Sequence, residues 1–267
     1  MLEFQPQFDF ELPHFYRTYE HADLVDKWCE ENNHTRVMTT LYGSQNYNTH
    51  FPDSDVDTKS IILPKYRQLV FEKPVSTTIH LENGEHMEVR DIRSMFDQYR
   101  KQNINFIEAL YSPYANINPK FDHVYKELFT NRERIARYHP RAMVMSVCGE
   151  MCGKYARYFQ NGITEYSAKQ LSNMLRMKRY VTMYLKGEKV ERCLVVPNGE
   201  EVDHIRAVKK GLYPEEEMCA QAKDLAIWAH ETMDWAKENL DIEPDPYVNA
   251  WLDELCYAVF VDFCEKE

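Results

Sequence analysis

The sequence of 267 residues predicts an α+β fold: a small mixed sheet early in the chain, followed by a mainly helical part. Three observations lead there. β-Branched and aromatic segments bounded by turn residues are confined to roughly the first 95 positions. From Ile92 onward, apolar residues recur at helical spacing in one segment after another. The two kinds of segment do not alternate, as they would in a doubly wound parallel sheet. The division is placed after residue 115, giving a sheet-bearing core over 1–115 and a helical region over 116–267. Residues 112–120, with Pro113 and Pro119, read as a hinge.

Each element follows from local signals. The first dozen residues read as an extended lead-in. Over 14–32, Phe15, Tyr19, Leu24, Trp28 and Cys29 fall near helical spacing, and Asn32-Asn33 ends the helix. Residues 36–42 are β-branched and aromatic with no helical stripe, hence a strand, and a loop carrying Gly43 follows. A second strand covers 55–63, closed by Pro64. Strands over 76–81 and 86–90 flank Asn83-Gly84, a hairpin signal, and a two-residue turn there sets Glu88 opposite Ile79. Helices are expected over 92–102, 106–111, 123–137, 140–160, 167–185, 200–210, 214–239 and 246–264. Tyr155, Tyr158 and Phe159 read as helix core rather than as platforms for stacking bases.

Composition narrows the classes. With 44% hydrophobic and 28% charged residues, the chain builds a core without disulfide or metal staples. Apolar runs such as 258–263 fall far short of the roughly 18–20 residues that cross a bilayer, and the start lacks a signal-peptide pattern. A cytoplasmic protein with no membrane partner is expected. The seven cysteines are scattered, with Cys148 and Cys152 the closest pair inside a helical stretch. Reduced thiols fit better than disulfides or zinc. Net charge is −11, which argues against wrapping long duplex nucleic acid. That average hides a dipole: residues 126–186 carry twelve Lys or Arg against four acids, +8, leaving −19 elsewhere. Such a stretch suits either an anionic substrate or a solvated helix face.

The richest segment for chemistry is Gly43-Ser44, then about ten residues, then Ser54-Asp55-Val56-Asp57-Thr58-Lys59. Strand alternation holds Asp55 and Asp57 on one face. Two carboxylates so close repel unless a cation lies between them, and oxygen-only donors favour Mg²⁺ or Mn²⁺. An EF-hand loop starting at Asp53 fails, because its sixth position is Thr58 instead of Gly and its twelfth Pro64 instead of Glu. On Asp-x-Asp alone an acidic surface turn is the competing reading. A glycine-serine turn after a strand adds backbone N–H groups and a hydroxyl that close on a phosphate. No Gly-x-x-x-x-Gly-Lys loop, Gly-x-Gly-x-x-Gly turn, Gly-x-Ser-x-Gly elbow or His-Glu-x-x-His helix occurs, so those kinase, dinucleotide, hydrolase and zincin signatures are absent.

The pattern from Gly43-Ser44 to Asp55-x-Asp57 resembles the signature of the DNA polymerase beta-like nucleotidyltransferases. More narrowly, residues 42–64 look like the predicted nucleotidyltransferases associated with RNA ligases in bacteria and phages. Residues 92–113 resemble that family's next helix and turn, with Ile104 in place of the usual proline. Residues 169–188 resemble its Lys-x₆-Arg helix, which maps the basic pair onto Lys169 and Arg176. The resemblance covers roughly residues 36–235 and implies a nucleotidyltransferase core in which Asp55, Asp57 and a third carboxylate hold two Mg²⁺ ions. Gly43 and Ser44 would hold the triphosphate, for in-line transfer of an NMP from an NTP to an acceptor hydroxyl on an RNA end, a small molecule or a protein.

Glu88, on the fourth strand, is the first choice for the third carboxylate and Asp91 the second. Asp91 stands just before the helix at Ile92, where N-capping is an equal explanation. Lys169 and Arg176 lie two helical turns apart on nearly one face, within reach of phosphates, or are ordinary surface residues. Lys59, two past Asp57, contacts the nucleotide or balances the acids. A nucleotide- or nucleic-acid-binding protein without turnover, and a metal-dependent phosphohydrolase, are the rival readings.

Overall fold

The computed structural model describes residues 12–263, so most of the expected lead-in, and Cys264, lie outside the described residues. Helix α1 (Leu12–Asn32) leads into strand β1 (His34–Tyr42), a 3₁₀ turn (Gly43–Tyr47), β2 (Asp57–Pro64) and a short helix α2 (Tyr66–Phe71). The hairpin β3 (Ser76–His80) and β4 (His86–Asp91) follows, then α3 (Ile92–Arg100), α4 (Ile104–Ile107), a 3₁₀ turn (Glu108–Tyr111) and β5 (Ala115–Ile117). The remainder is helical: α5 (Asp122–Thr130), α6 (Arg132–Arg137), α7 (Pro140–Tyr158), α8 (Ser167–Leu185), α9 (Val190–Leu194), α10 (Glu200–Lys209), α11 (Glu215–Asn239) and α12 (Pro246–Phe263). This is the expected α+β arrangement. No helix among the described residues is long and apolar enough to cross a membrane.

The five strands form one mixed sheet in the order β3-β4-β2-β1-β5, with β2 and β4 parallel and the other pairs antiparallel. Period-two alternation sorts its faces. Ile62, Met87 and Val89 pack against Val25 and Cys29 of α1, while Ile61 and Leu63 join the large core shared with α3 and the helical region. The odd-numbered residues of β2, Asp57 and Lys59 among them, therefore face the helical half.

Four expectations are corrected. The expected hinge forms β5, paired antiparallel to β1. The strand forms because the outer edge of β1 needs partners: Leu41 N–H donates to Tyr114 O and Asn118 N–H to Val37 O, both at 3.0 Å, and Arg36 Nη1 donates to Asn116 O. Glu88 pairs with Thr78 instead of Ile79. The hairpin loop is longer than two residues: Gly84 N–H donates to Leu81 O, Asn83 Oδ1 accepts from Glu85 N–H, and Gly84 sits at φ +91°. Strand β2 starts at Asp57, so Asp55 lies in the approach to it. The helix expected over 123–137 breaks at Asn131, whose backbone leaves helical geometry while its side chain donates to Glu127 O.

Candidate functional site

Sheet register builds one lip of the site. Tyr42 pairs with Asp57, so the chain leaving β1 turns at Gly43-Ser44 directly beside the first residue of β2. Gly43 has φ +83°, and a Cβ built there stands 3.8 Å from Asp57 Oδ2, so the turn favours glycine. Asp57 is half-buried and anchored from β4: its Oδ1 accepts from His86 N–H at 3.1 Å and pairs with His86 Nδ1 at 3.0 Å. Asp55 is exposed and lies against the β3–β4 loop, where a Cβ on Gly84 would stand 3.7 Å from its Oδ1. Val56 between them is buried.

Facing this lip is a helical wall, and the two enclose a cavity of about 350 Å³. Gly43, Ser44, Asp53, Asp55 and Asp57 line one side; Glu150 and Lys154 of α7, Lys169, Asn173 and Arg176 of α8, and Lys209 of α10 line the other. Six residues proposed from the sequence, Gly43, Ser44, Asp55, Asp57, Lys169 and Arg176, thus border one cavity.

Three others lie outside it. Lys59 is 2% exposed beneath the floor, where Nζ donates to Asn105 O at 2.6 Å, sits over the Tyr42 and Phe106 rings, and stands 3.5 Å from Glu88 Oε2. Glu88 Oε2 also stands 3.3 Å from Arg90 Nη2, so this carboxylate is shared by two cations of the sheet. Asp91 is fully buried, caps α3 through Arg93 N–H at 2.9 Å, and pairs with the Arg93 guanidinium at 2.6 Å. Its geometry is that of an N-cap.

Glu150, Lys154, Asn105 and Lys209 were not singled out from the sequence. Glu150 and Lys154 pair at 3.1 Å across one turn of α7. Their i,i+4 spacing was the available signal, but it is common on any solvated helix. Lys209 follows no motif and reaches the cavity only through the packing of α10.

The wall is strongly cationic and partly dry. Arg176 is 4% exposed, its guanidinium carbon lies 3.5 Å from the centre of the Tyr47 ring, and its Nε and Nη1 have no hydrogen-bond partner. Burial, with Lys169 and Arg206 nearby, pulls the Lys209 ammonium down to about 8. As donors, Asp55 and Asp57 offer only oxygens, and one Asp57 oxygen is already held by His86. That set fits a hard divalent cation that keeps several waters, such as Mg²⁺ or Mn²⁺. Among the described residues, no three His, Cys, Asp or Glu side chains gather as a metal cluster.

The lip is fastened to the helical half through the chain following Ser44. Val196 N–H donates to Tyr47 O, Asn48 Nδ2 to Val196 O and Asn198 Oδ1, Arg206 Nη2 to Asn48 O and Lys209 Nζ to Thr49 O, over 2.8–3.3 Å. Asn48 adopts the left-handed conformation, φ 62°, that this crossing requires.

No family model matches the chain, and no curated protein matches it. Among solved structures, a nucleotidyltransferase-like protein from Exiguobacterium sibiricum 255-15 matches at 9% identity and a TM-score of 0.31, covering 80% of this chain and 74% of that one. A likeness of this size identifies neither a family nor an activity.

Proposed function

We propose that the chain is a Mg²⁺- or Mn²⁺-dependent nucleotidyltransferase that moves an NMP from an NTP to an acceptor hydroxyl. One observation carries this reading: a glycine-serine turn and two strand-entry aspartates share a cavity with Lys154, Lys169, Arg176 and Lys209. A polyphosphate needs both walls, because the aspartates alone repel it and the cations alone give it no catalytic counter-ion. When bound by Asp55 and Asp57, the divalent ion would polarise the α-phosphoryl group and offset charge on the leaving pyrophosphate. The protein's part is positioning. Gly43 lets the backbone approach the phosphates, Ser44 supplies a hydroxyl, His86 fixes the Asp57 carboxylate, and the lysines and Arg176 take the β and γ oxygens.

The test is incubation with each α-phosphate-labelled NTP and Mg²⁺, with and without short RNA, beside an Asp55→Ala, Asp57→Ala double variant. Metal-dependent label transfer by the wild type, reduced at least about 100-fold in the variant, is the expected result. Tight NTP binding with no transfer to any acceptor offered would replace this reading with its rival, a nucleotide-binding protein without turnover. That rival has its own support, since Glu88, first choice for a third carboxylate, is held by Lys59 and Arg90.

A further inference from the structure

Arg176 is a buried cation whose partner within the protein is an aromatic ring. Its guanidinium lies flat enough on Tyr47 to bring the central carbon within 3.5 Å of the ring centre, while Nε and Nη1 find no acceptor. No carboxylate lies within ion-pairing distance of it among the described ion pairs, although both Glu108 and Glu150 act on it from further away. Tyr47 is itself 5% exposed and immobilised: its hydroxyl donates to Glu108 Oε2, and Glu108 is 1% exposed with Oε1 unpartnered. Glu108 closes the chain from below, its carboxyl raised by burial, which Arg176 and Lys59 offset only in part.

Leaving hydrogen-bonding groups of a buried guanidinium unmet is costly, unless the missing acceptor arrives from outside. The cavity that Arg176 lines is where an acceptor can enter, and its other cations select an anion. Tyr47 ends the same 3₁₀ turn that starts with Gly43 and Ser44, so one short segment places both the phosphate-binding turn and the surface on which the guanidinium rests.

We infer that Tyr47 is a positioning residue that holds the Arg176 guanidinium, through its ring and its bond to Glu108, ready for the oxygens of a pyrophosphate group. This inference rests on the nucleotidyltransferase reading and adds to it a residue that acts through the arginine. A flat cation on an aromatic face keeps its in-plane N–H groups aimed, which a lysine at that position cannot reproduce.

Titration calorimetry with inorganic pyrophosphate in Mg²⁺ buffer tests it on the full chain. Tyr47→Phe, which keeps the ring, is expected to weaken binding about twofold, and Tyr47→Leu about tenfold. In an Arg176→Ala background, Tyr47→Leu is expected to add less than about twofold, because its effect passes through the arginine. Should Tyr47→Leu fail to fold, Arg176→Lys serves instead: it is expected to bind almost as weakly as Arg176→Ala. Full effects of Tyr47→Leu in the Arg176→Ala background, or full affinity in Arg176→Lys, would overturn the inference while leaving the nucleotide reading standing. Absence of pyrophosphate binding by the wild type would overturn both.

Discussion

Gly43 separates backbone demand from chemistry. Its φ of +83° costs a residue with a Cβ roughly 1 kcal/mol, and the added methyl would meet Asp57 Oδ2 at ordinary contact distance. Gly43→Ala is therefore expected to lose about 1 kcal/mol in denaturant unfolding, and to lower phosphate affinity by shifting the turn beside Asp57. Asp91 asks a different question. It is buried, caps α3 and pairs with Arg93, so Asp91→Ala is expected to cost about 2–4 kcal/mol in the same measurement. Retained metal-dependent activity in whatever fraction stays folded would separate the cap from a ligand. The sequence left these two roles of Asp91 open because an acid before a helix looks the same in either; only its partners distinguish them.

At the level of elements, sequence reading worked where local chemistry decides the structure and failed where a distant partner does. The strands ending at Tyr42 and beginning near Asp57 were legible from β-branched runs and turns, and α8 runs over the expected 167–185. Strand β5 was not, because Ala115-Asn116-Ile117 has no strand pattern of its own and forms only to satisfy the edge of β1. The Lys59–Glu88 pairing was equally hidden, since it depends on parallel register between β2 and β4. Helix α10 itself was legible over 200–210, but its docking onto the lip was not. Its Arg206 holds Asn48 O at 3.1 Å, so Arg206→Ala is expected to cost about 1 kcal/mol and to speed amide hydrogen exchange over residues 44–49. Unchanged exchange there would show that the remaining contacts of α10 and Val196 suffice to hold the lip.

At the scale of the whole molecule, a further tie sits at the turn of the β3–β4 hairpin. Glu85 receives Arg17, Asn83 and His21, joining α1 to the β3–β4 loop. Burial raises its carboxyl, but those hydrogen bonds outweigh burial and bring it down to about 2. His21 is kept mainly neutral by burial, so its Nε2–H donates to Glu85 while Nδ1 accepts from Thr58. A depressed carboxylate stabilises the fold above its unfolded value near 4.3 and loses that contribution as pH falls toward 2. Wild type is therefore expected to lose on the order of 1–2 kcal/mol across that window that Glu85→Gln never had, as read from unfolding curves between about pH 5 and 2.5. The three-residue strand β5 sets an order of events during synthesis. Until residue 117 has left the ribosome, β1 carries a bare edge, and any nascent chain that stalls earlier exposes a template for pairing with its neighbours.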